Sequence, residues 1–216
     1  MKTLCIYGCG GMGREIADLS RRIGKWHQVI FIVDGAVTNR EVDEIKVYTL
    51  PEALNHFPKD GLEFIVSVGE PASRKALYEK LADYQLSYIK IMDPGFILSR
   101  FSSVAKGTII HTGAVATCNV HIGEGCLINK QVVIGHDVTI GDYSVISPNA
   151  SIGGNVNIGP GCYLGSGSII KNGIKIGDNS IIGMGAVVLK DVKPNSVMVG
   201  NPARFLRENL DKKVFR

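Results

Sequence analysis

The chain has 216 residues, 45% hydrophobic and 20% charged, which is long enough for one or two globular domains and unlike a disordered chain or a coiled coil. Its net charge of +4 is too small to indicate a nucleic-acid-binding surface, and no uninterrupted apolar run could span a bilayer. The start of the sequence does not resemble a signal peptide, and five cysteines without framework spacing are typical of free thiols. We therefore expect a cytoplasmic protein.

Residues 1–95 have the pattern of an α/β domain built as half of a Rossmann fold. Short apolar runs predict parallel strands, and apolar residues at helical spacing predict helices between them. The predicted elements are strand Leu4–Tyr7, helix Arg14–Ile23, strand Val29–Val33, strand Phe64–Val68, helix Ser73–Tyr84 and strand Tyr88–Met92. In the second helix Leu77, Leu81 and Tyr84 share one face, which we expect to be buried.

A glycine-rich loop joins the first predicted strand to the first helix. Gly8, Gly10 and Gly13 match the G-x-G-x-x-G pattern, and Asp34 follows the next strand. In this context the amides at the helix start can face a phosphate, and Asp34 can bind a ribose hydroxyl. Only one βαβ half fits before residue 95, so a mononucleotide or a nucleotide-linked sugar is favoured over NAD. An NAD-dependent oxidoreductase, and a tight turn without a ligand, remain the alternatives.

Residues 96–193 contain a repeat with a period of six, starting at Val104. Fourteen of its fifteen positions are branched aliphatic: Val104, Ile110, Ile122, Ile128, Ile134, Ile140, Ile146, Ile152, Ile158, Leu164, Ile170, Ile176, Ile182 and Val188, with Ala116 as the exception. Such a period fits neither a helix nor a flat strand. It predicts a short strand and a turn in each hexad, with three hexads in each triangular coil. Glycine follows eight of the aliphatic positions directly, and we assign these glycines to the turns.

The tail, residues 194–216, carries five basic and two acidic residues. Its segment Phe205–Leu210 has the pattern of a short amphipathic helix.

Among the repeat histidines, His136 is the candidate for acid–base chemistry. It lies two residues after Ile134, at a turn where a side chain projects outward, and Asp137 follows it. A neutral imidazole can accept a proton near pH 7, and a neighbouring carboxylate raises its basicity. The alternative is an exposed histidine without a role. His111 and His121 lack an adjacent acid, and the spacing of the three histidines does not match a zinc site, so we expect no metal.

Three motifs in this order, Gly8–Glu15, Ile134–Asp137 and Val199–Arg204, make the chain resemble a family of bacterial sugar acetyltransferases. That family includes sialic-acid O-acetyltransferases and nucleotide-linked 4-amino-sugar N-acetyltransferases. The resemblance implies a left-handed parallel β-helix in residues 96–193 and a homotrimer with active sites between subunits. It also implies direct acetyl transfer from acetyl-CoA to the 4-amino group of a nucleotide-linked amino-dideoxy sugar.

The resemblance assigns roles to individual residues. It makes His136 the general base and Asp137 its support. The residues implied to bind the nucleotide-sugar are Gly10, Gly11, Met12, Asp34, Gly35 and Gly69. Those implied to bind acetyl-CoA are Gly154, Gly165, Ser166, Met184 and Arg204. One departure is Val145, where several family members have a second histidine that contacts the thioester.

Two alternatives stay open from the sequence. The acceptor can be a sugar hydroxyl, as in O-acetylation of sialic acid or of a surface-polysaccharide precursor; we prefer the amine because the loop favours a nucleotide-linked sugar. A solenoid can also serve as a non-catalytic scaffold.

Overall fold

The computed structural model describes residues 2–215, and its first part is an α/β domain with one mainly parallel sheet. Its elements are β1 (Thr3–Tyr7), α1 (Gly11–Ile23), β2 (Gln28–Val33), β3 (Glu41–Val42), β4 (Ile45–Thr49), α2 (Leu50–His56), a 3-10 turn (Lys59–Gly61), β5 (Leu62–Val66) and α3 (Pro71–Asp83). The strand order is β3-β4-β2-β1-β5, and only β3 runs antiparallel to its neighbour. This arrangement confirms the predicted half-Rossmann domain.

The sequence prediction missed β3, β4 and α2; on the predicted face of α3 it was right for Leu81, which is buried, and wrong for Tyr84. Tyr84 lies just beyond the helix and is 46% exposed, whereas Arg74, Tyr78 and Leu81 are buried. An arginine side chain is rarely buried, so hydrophobic spacing could not identify this face.

The second part is a prism of short parallel strands. Its strands are β6 (Ile91–Met92), β7 (Ser103–Val104), β8 (Ile109–Ile110), β9 (Val115–Ala116), β10 (His121–Ile122), β11 (Leu127–Ile128), β12 (Val133–Ile134), β13 (Thr139–Ile140), β14 (Val145–Ile146), β15 (Ser151–Ile152), β16 (Asn157–Ile158), β17 (Tyr163–Leu164), β18 (Ile169–Ile170), β19 (Lys175–Ile176), β20 (Ile181–Ile182), β21 (Val187–Val188), β22 (Ser196–Val199) and β23 (Arg204–Glu208). From β7 to β21 the second residue of every strand is the predicted repeat position, and these side chains form the core of the prism. The predicted hexad register is therefore confirmed.

The first residue of each of these strands points outward, and it distinguishes three faces. The polar face consists of β7, β10, β13, β16 and β19, which carry Ser103, His121, Thr139, Asn157 and Lys175. The covered face includes β8, β11, β14, β17 and β20; its side chains Ile109, Leu127 and Val145 are buried in one cluster with the α/β domain. The apolar face consists of β9, β12, β15, β18 and β21, where Val115, Val133 and Ile169 are 47–48% exposed.

The glycines that follow the aliphatic positions do not adopt the left-handed conformation of the turns, and here the sequence prediction was wrong. A Cβ atom on Gly135 would lie 2.6 Å from the backbone nitrogen of Gly154 in the next coil, and one on Gly141 would lie 2.4 Å from that of Pro160. Positive φ angles occur instead two residues later in each hexad, for example at Asp137 (φ 57). The repeat therefore needs those glycines because successive coils approach too closely for a side chain.

Arg74 joins the α/β domain to the prism. Its side chain is fully buried and donates to four backbone carbonyls. Two of them lie at or just after the end of β5, Val66 (3.0 Å) and Val68 (2.8 Å), and two belong to a corner of the prism, Gly125 (2.8 Å) and Cys126 (3.2 Å). The five donors of a guanidinium group suit such a site, and they place the domain firmly on the covered face.

Glu63 in β5 is a second buried charged residue. Lys2, Lys25 (3.0 Å) and the indole nitrogen of Trp26 (2.8 Å) donate to its carboxylate. Burial disfavours the charged form, but these three donors outweigh it and lower the pKa of Glu63 to about 2.

The tail forms a strand where the sequence predicted a helix. β23 pairs antiparallel with β22, and Phe205 and Leu206 are exposed on it. A helix of six residues is too short to be stable alone, whereas the edge of β22 offers free backbone partners. Further on, the backbone amides of Val214 and Phe215 donate to the Glu70 carboxylate (3.1 Å each). None of the helices within residues 2–215 is both long and apolar enough to cross a membrane.

Candidate active site

His136 and Asp137 lie together at one corner of the prism. The chain leaves the apolar face after β12, makes the turn Gly135–Asp137 and enters the polar face at β13. The His136 Nδ1 atom is 2.7 Å from the Asp137 Oδ2 atom, and both side chains are about half exposed. Since an ionised carboxylate only accepts hydrogen bonds, Nδ1 is the protonated nitrogen of a neutral His136. The unprotonated Nε2 atom is then free to act as a base.

The His136 ring packs directly against Gly154, which occupies the same corner one coil further on. A Cβ atom on Gly154 would lie 2.5 Å from Nε2 of His136 and 2.7 Å from its Cε1 atom. Gly154 was predicted to contact acetyl-CoA; the structure adds that its missing side chain provides the space for the imidazole.

The predicted nucleotide-sugar residues lie at the carboxyl edge of the parallel sheet, where β1, β2 and β5 end. Gly10 caps α1, Gly11 is its first residue, and Asp34 follows β2. The end of the Met12 side chain reaches within 4.0 Å of the Cβ position of Gly69 after β5. Ligands of open α/β sheets bind at this edge. The structure therefore brings these predicted residues, with the adjacent Gly35, to one edge of the sheet.

Asp34 already has partners within the chain. Its Oδ1 atom accepts from the Tyr7 hydroxyl (2.6 Å) and from Lys80 (2.6 Å). Burial disfavours its charge, but the donors Lys80 and Tyr7 outweigh this and keep the pKa of Asp34 below its usual value. Asp34 is thus held as a carboxylate, the form that accepts from a sugar hydroxyl.

The sheet edge that carries the predicted nucleotide-sugar residues and the corner with His136 lie on different sides of the prism. Each coil passes from the polar to the covered and then to the apolar face, so the corner with His136 is opposite the covered face. The α/β domain packs on the covered face and on its two flanking corners, for example through Arg74 at Gly125 and through the ion pair of Glu15 with Lys130 (2.5 Å). A single chain does not bring the two halves of the predicted site together.

The residues predicted to bind acetyl-CoA also lie at two separate corners of the prism. Gly154 lies at the corner of His136, whereas Gly165, Ser166 and Met184 lie at the other corner of the apolar face. The Met184 side chain is 83% exposed there. Arg204 is exposed at the start of β23, near the end of the prism. These residues flank the apolar face on both sides.

Some residues near the candidate site were not predicted. Asn119 donates to Asp137 (2.7 Å) from the preceding coil; a spacing of 18 residues, one full coil, is the signal that could have found it. Phe215 reaches within 4.0 Å of the Cβ position of Gly69, and no sequence signal pointed to this contact. Val145, where the family resemblance implies a second histidine, is buried on the covered face.

His111 is buried at the corner between the covered and apolar faces, and its Nε2 atom has no hydrogen-bond partner. Burial lowers the pKa of His111 and disfavours its charged form. Within residues 2–215 no three His, Cys, Asp or Glu side chains form a group that could hold a metal ion.

Two family models match the chain. The PglD N-terminal domain matches residues 3–81, and the bacterial transferase hexapeptide (six repeats) matches residues 119–154 and 155–190. The chain therefore consists of a PglD N-terminal domain followed by bacterial transferase hexapeptide repeats, and it is an enzyme of the hexapeptide transferase class. The family, the fold class and the enzyme class predicted from the sequence are thereby confirmed.

Solved structures with the same fold cover almost the whole chain. WeeI from Acinetobacter baumannii AYE is 27% identical (TM-score 0.88; 95% of this chain and 100% of that chain). The acetyltransferase domain of PglB from Neisseria gonorrhoeae FA1090 is 24% identical (TM-score 0.89; 95% and 100%). A variant of perosamine N-acetyltransferase from Caulobacter crescentus, in complex with CoA and GDP-perosamine, is also 24% identical (TM-score 0.89; 96% and 98%). Among curated proteins no match was found.

Proposed function

We propose that this protein transfers the acetyl group of acetyl-CoA to the 4-amino group of a nucleotide-linked amino-dideoxy sugar, with His136 as the general base. The observation that carries the proposal is the His136–Asp137 hydrogen bond, which leaves Nε2 unprotonated at an exposed corner. The chain has a fold similar to that of a perosamine N-acetyltransferase variant solved in complex with CoA and GDP-perosamine, and this similarity supports the choice of both substrates.

Transfer needs no covalent enzyme intermediate. His136 Nε2 removes a proton from the amine as its nitrogen attacks the thioester carbonyl carbon. The carbon–sulfur bond then breaks, and the CoA sulfur leaves as a thiolate that takes up a proton. Binding both substrates at one site supplies the proximity that makes a direct attack efficient. Backbone amides of the prism are the donors we assign to the developing oxyanion, because Val145, at the position where the resemblance implies a second histidine, has no side-chain donor.

We infer that the working enzyme is a homotrimer, because one chain keeps the two halves of the site apart. The apolar face exposes Val115, Val133 and Ile169, a patch that favours burial against a second copy. One of its flanking corners carries His136 and Gly154, and the other carries Gly165, Ser166 and Met184. Packing of apolar faces in a trimer joins corners of different subunits, so that His136 of one subunit serves a sugar held by another. The five free cysteines suit a reducing cytoplasm.

Complementation between two inactive variants tests the shared site. His136→Ala removes the base, and Gly11→Asp places a negative charge at the start of α1, where a phosphate would bind. A Cβ atom on Gly11 meets nothing within 4 Å, so the second variant should fold normally. If each site uses two subunits, random mixing at equal amounts restores about a quarter of the sites. Activity that stays at the background of the separate variants would contradict a shared site.

The chemistry is tested by mass spectrometry after incubation with acetyl-CoA and a panel of UDP-, dTDP-, GDP- and CMP-linked amino sugars. Acetylation of an amine supports the proposal, whereas acetylation of a hydroxyl shows O-acetylation instead. His136→Ala should lower turnover by about 10²–10⁴-fold, the usual contribution of a general base. Near-normal turnover in that variant would refute the role of His136.

Binding of CoA is tested by thermal shift. CoA should raise the melting temperature by mass action, whereas a scaffold would not respond. Arg204→Glu should raise the KM for acetyl-CoA if Arg204 contacts the CoA phosphates; an unchanged KM would remove Arg204 from the site.

A further inference from the structure

A continuous chain of polar side chains runs from the catalytic pair to the polar face of the prism. Asn119 donates from Nδ2 to Asp137 Oδ1 (2.7 Å). The Oδ1 atom of Asn119 is 3.1 Å from His121 Nε2, and His121 Nδ1 is 2.9 Å from the Ser103 hydroxyl. With the His136–Asp137 contact, these hydrogen bonds connect five side chains in three coils.

The repeat geometry places these side chains side by side. Asn119 and Asp137 occupy equivalent corner positions in successive coils, both with positive φ (55 and 57). Ser103 and His121 are direct register partners in the parallel sheet of the polar face. Asn119 and His121 are two residues apart, so the corner and the face meet between them.

The Asp137 carboxylate determines the direction of every hydrogen bond in this series of side chains. Because Asp137 only accepts, Asn119 presents its amide nitrogen to it and its carbonyl oxygen to His121. His121 must then carry its proton on Nε2, and its bare Nδ1 accepts from the Ser103 hydroxyl. No two donors or acceptors face each other, so the whole network can form at once with neutral histidines.

We propose that Asn119, His121 and Ser103 are positioning residues that hold the Asp137 carboxylate in place, so that His136 keeps its proton on Nδ1 and its bare Nε2 toward the substrate. This inference rests on the proposed role of His136 as general base. Without Asn119, the Oδ1 atom of this exposed carboxylate loses its donor while Oδ2 keeps only the bond from His136, and the group can rotate toward solvent. The donor bond from Asn119, followed by that from His136, also lowers the pKa of Asp137 and keeps it ionised.

The first test compares Asn119→Gly with Asn155→Gly. Asn155 has the same backbone conformation one coil beyond Asp137 (φ 58) and lies outside the hydrogen-bonded chain. Glycine tolerates positive φ, so both variants remove an amide without backbone strain. We expect Asn119→Gly to lower kcat about ten-fold, the usual effect of losing a hydrogen bond to a charged group, with KM for both substrates unchanged. Asn155→Gly should have near-normal kcat.

The second test concerns His121. His121→Ala should lower kcat by a few-fold, and His121→Gln should restore it, since the amide of glutamine can donate to Asn119 as Nε2 does. A role in stability alone would lower the melting temperature of both variants without this rescue.

The third measurement reads the tautomer of His136 by NMR of protein with ¹⁵N-labelled histidine. The Nδ1-protonated form should predominate in the natural protein and in Asn155→Gly, and it should decrease in Asn119→Gly. Equal kcat and equal tautomer populations in the two asparagine variants would overturn the proposal. This measurement needs no turnover, so it separates the two proposals. If His136→Ala proved fully active, the general-base assignment would fail, whereas the tautomer populations of His136 in the two asparagine variants would still test the positioning role.

Discussion

Gly154→Ala is the substitution that most directly tests the geometry of the proposed catalytic pair, His136 and Asp137. The added methyl group would lie 2.5 Å from Nε2 of His136 and 2.9 Å from its Cδ2 atom. The backbone of Gly154 is not in the left-handed region, so alanine itself causes no strain in the chain. The imidazole ring, at the end of a rotatable side chain, is the group that must move.

The size of the displacement follows from ordinary contact distances. A carbon and a ring atom need about 3.5 Å, so the ring must move by about 1 Å. Such a shift changes the His136–Asp137 hydrogen bond and moves Nε2 away from the attacking amine. A misplacement of about 1 Å in a catalytic group costs up to roughly 10²-fold in rate. We therefore expect Gly154→Ala to lower kcat by about 10²-fold.

A double-mutant cycle with His136→Ala separates this clash from other effects of the methyl group. Release of CoA, followed with a thiol reagent, gives kcat for the two single variants and for the double variant. Once the ring is absent the methyl group has space, so Gly154→Ala should cause no further loss in the His136→Ala background. The double variant should also melt no lower than His136→Ala alone.

Two outcomes would refute this reasoning. Near-normal kcat in Gly154→Ala would show that the ring does not need its observed position. An equal proportional loss with and without His136 would show that the methyl group acts elsewhere, for example on bound acetyl-CoA.

Three further substitutions test other parts of the structure. The folded-state pKa of Glu63, about 2, lies below its ordinary value of 4.5, so its contribution to stability is present above about pH 4.5 and is lost as the pH falls toward 2. Glu63→Gln should therefore flatten the dependence of the melting temperature on pH in this window; an unchanged profile would contradict the assignment. Arg74→Met leaves four buried carbonyls without their donor and should lower the free energy of unfolding by on the order of 3 kcal/mol in urea titrations, whereas a change near zero would contradict the joining role of Arg74. Val133→Lys on the apolar face should shift the proposed trimer toward monomers in light scattering and lower kcat with it, and a trimer that forms unchanged would show that this face is not the interface.

Much of the fold can be predicted from the sequence because both parts follow local rules. The six-residue period assigned an inward residue to each strand from β7 to β21, because one aliphatic or alanine side chain of every hexad is buried inside the narrow prism. The glycine-rich loop predicted the turn before α1, because the spacing of its glycines is also a local signal. The same local reasoning was wrong for Phe205–Leu210, because the edge of β22 was not visible in the sequence.

The glycines show the limit of sequence reasoning in another way. Their recurrence is visible in the sequence, but their reason is not, because Gly135 and Gly141 make room for the next coil. The contact between Gly154 and His136 has the same origin. Residues 18 apart become neighbours only when the coil closes.

The two-part architecture, the register of the prism and the candidate pair His136 and Asp137 can be predicted from the sequence, since each depends on neighbouring residues or on a short period. The folded chain was needed to show which face of the prism the α/β domain covers, and that His136 lies at the opposite corner. It also placed Asn119 beside Asp137 and Arg74 between the two parts. These features depend on which surfaces meet after folding, and burial and hydrogen bonding between distant segments select that arrangement.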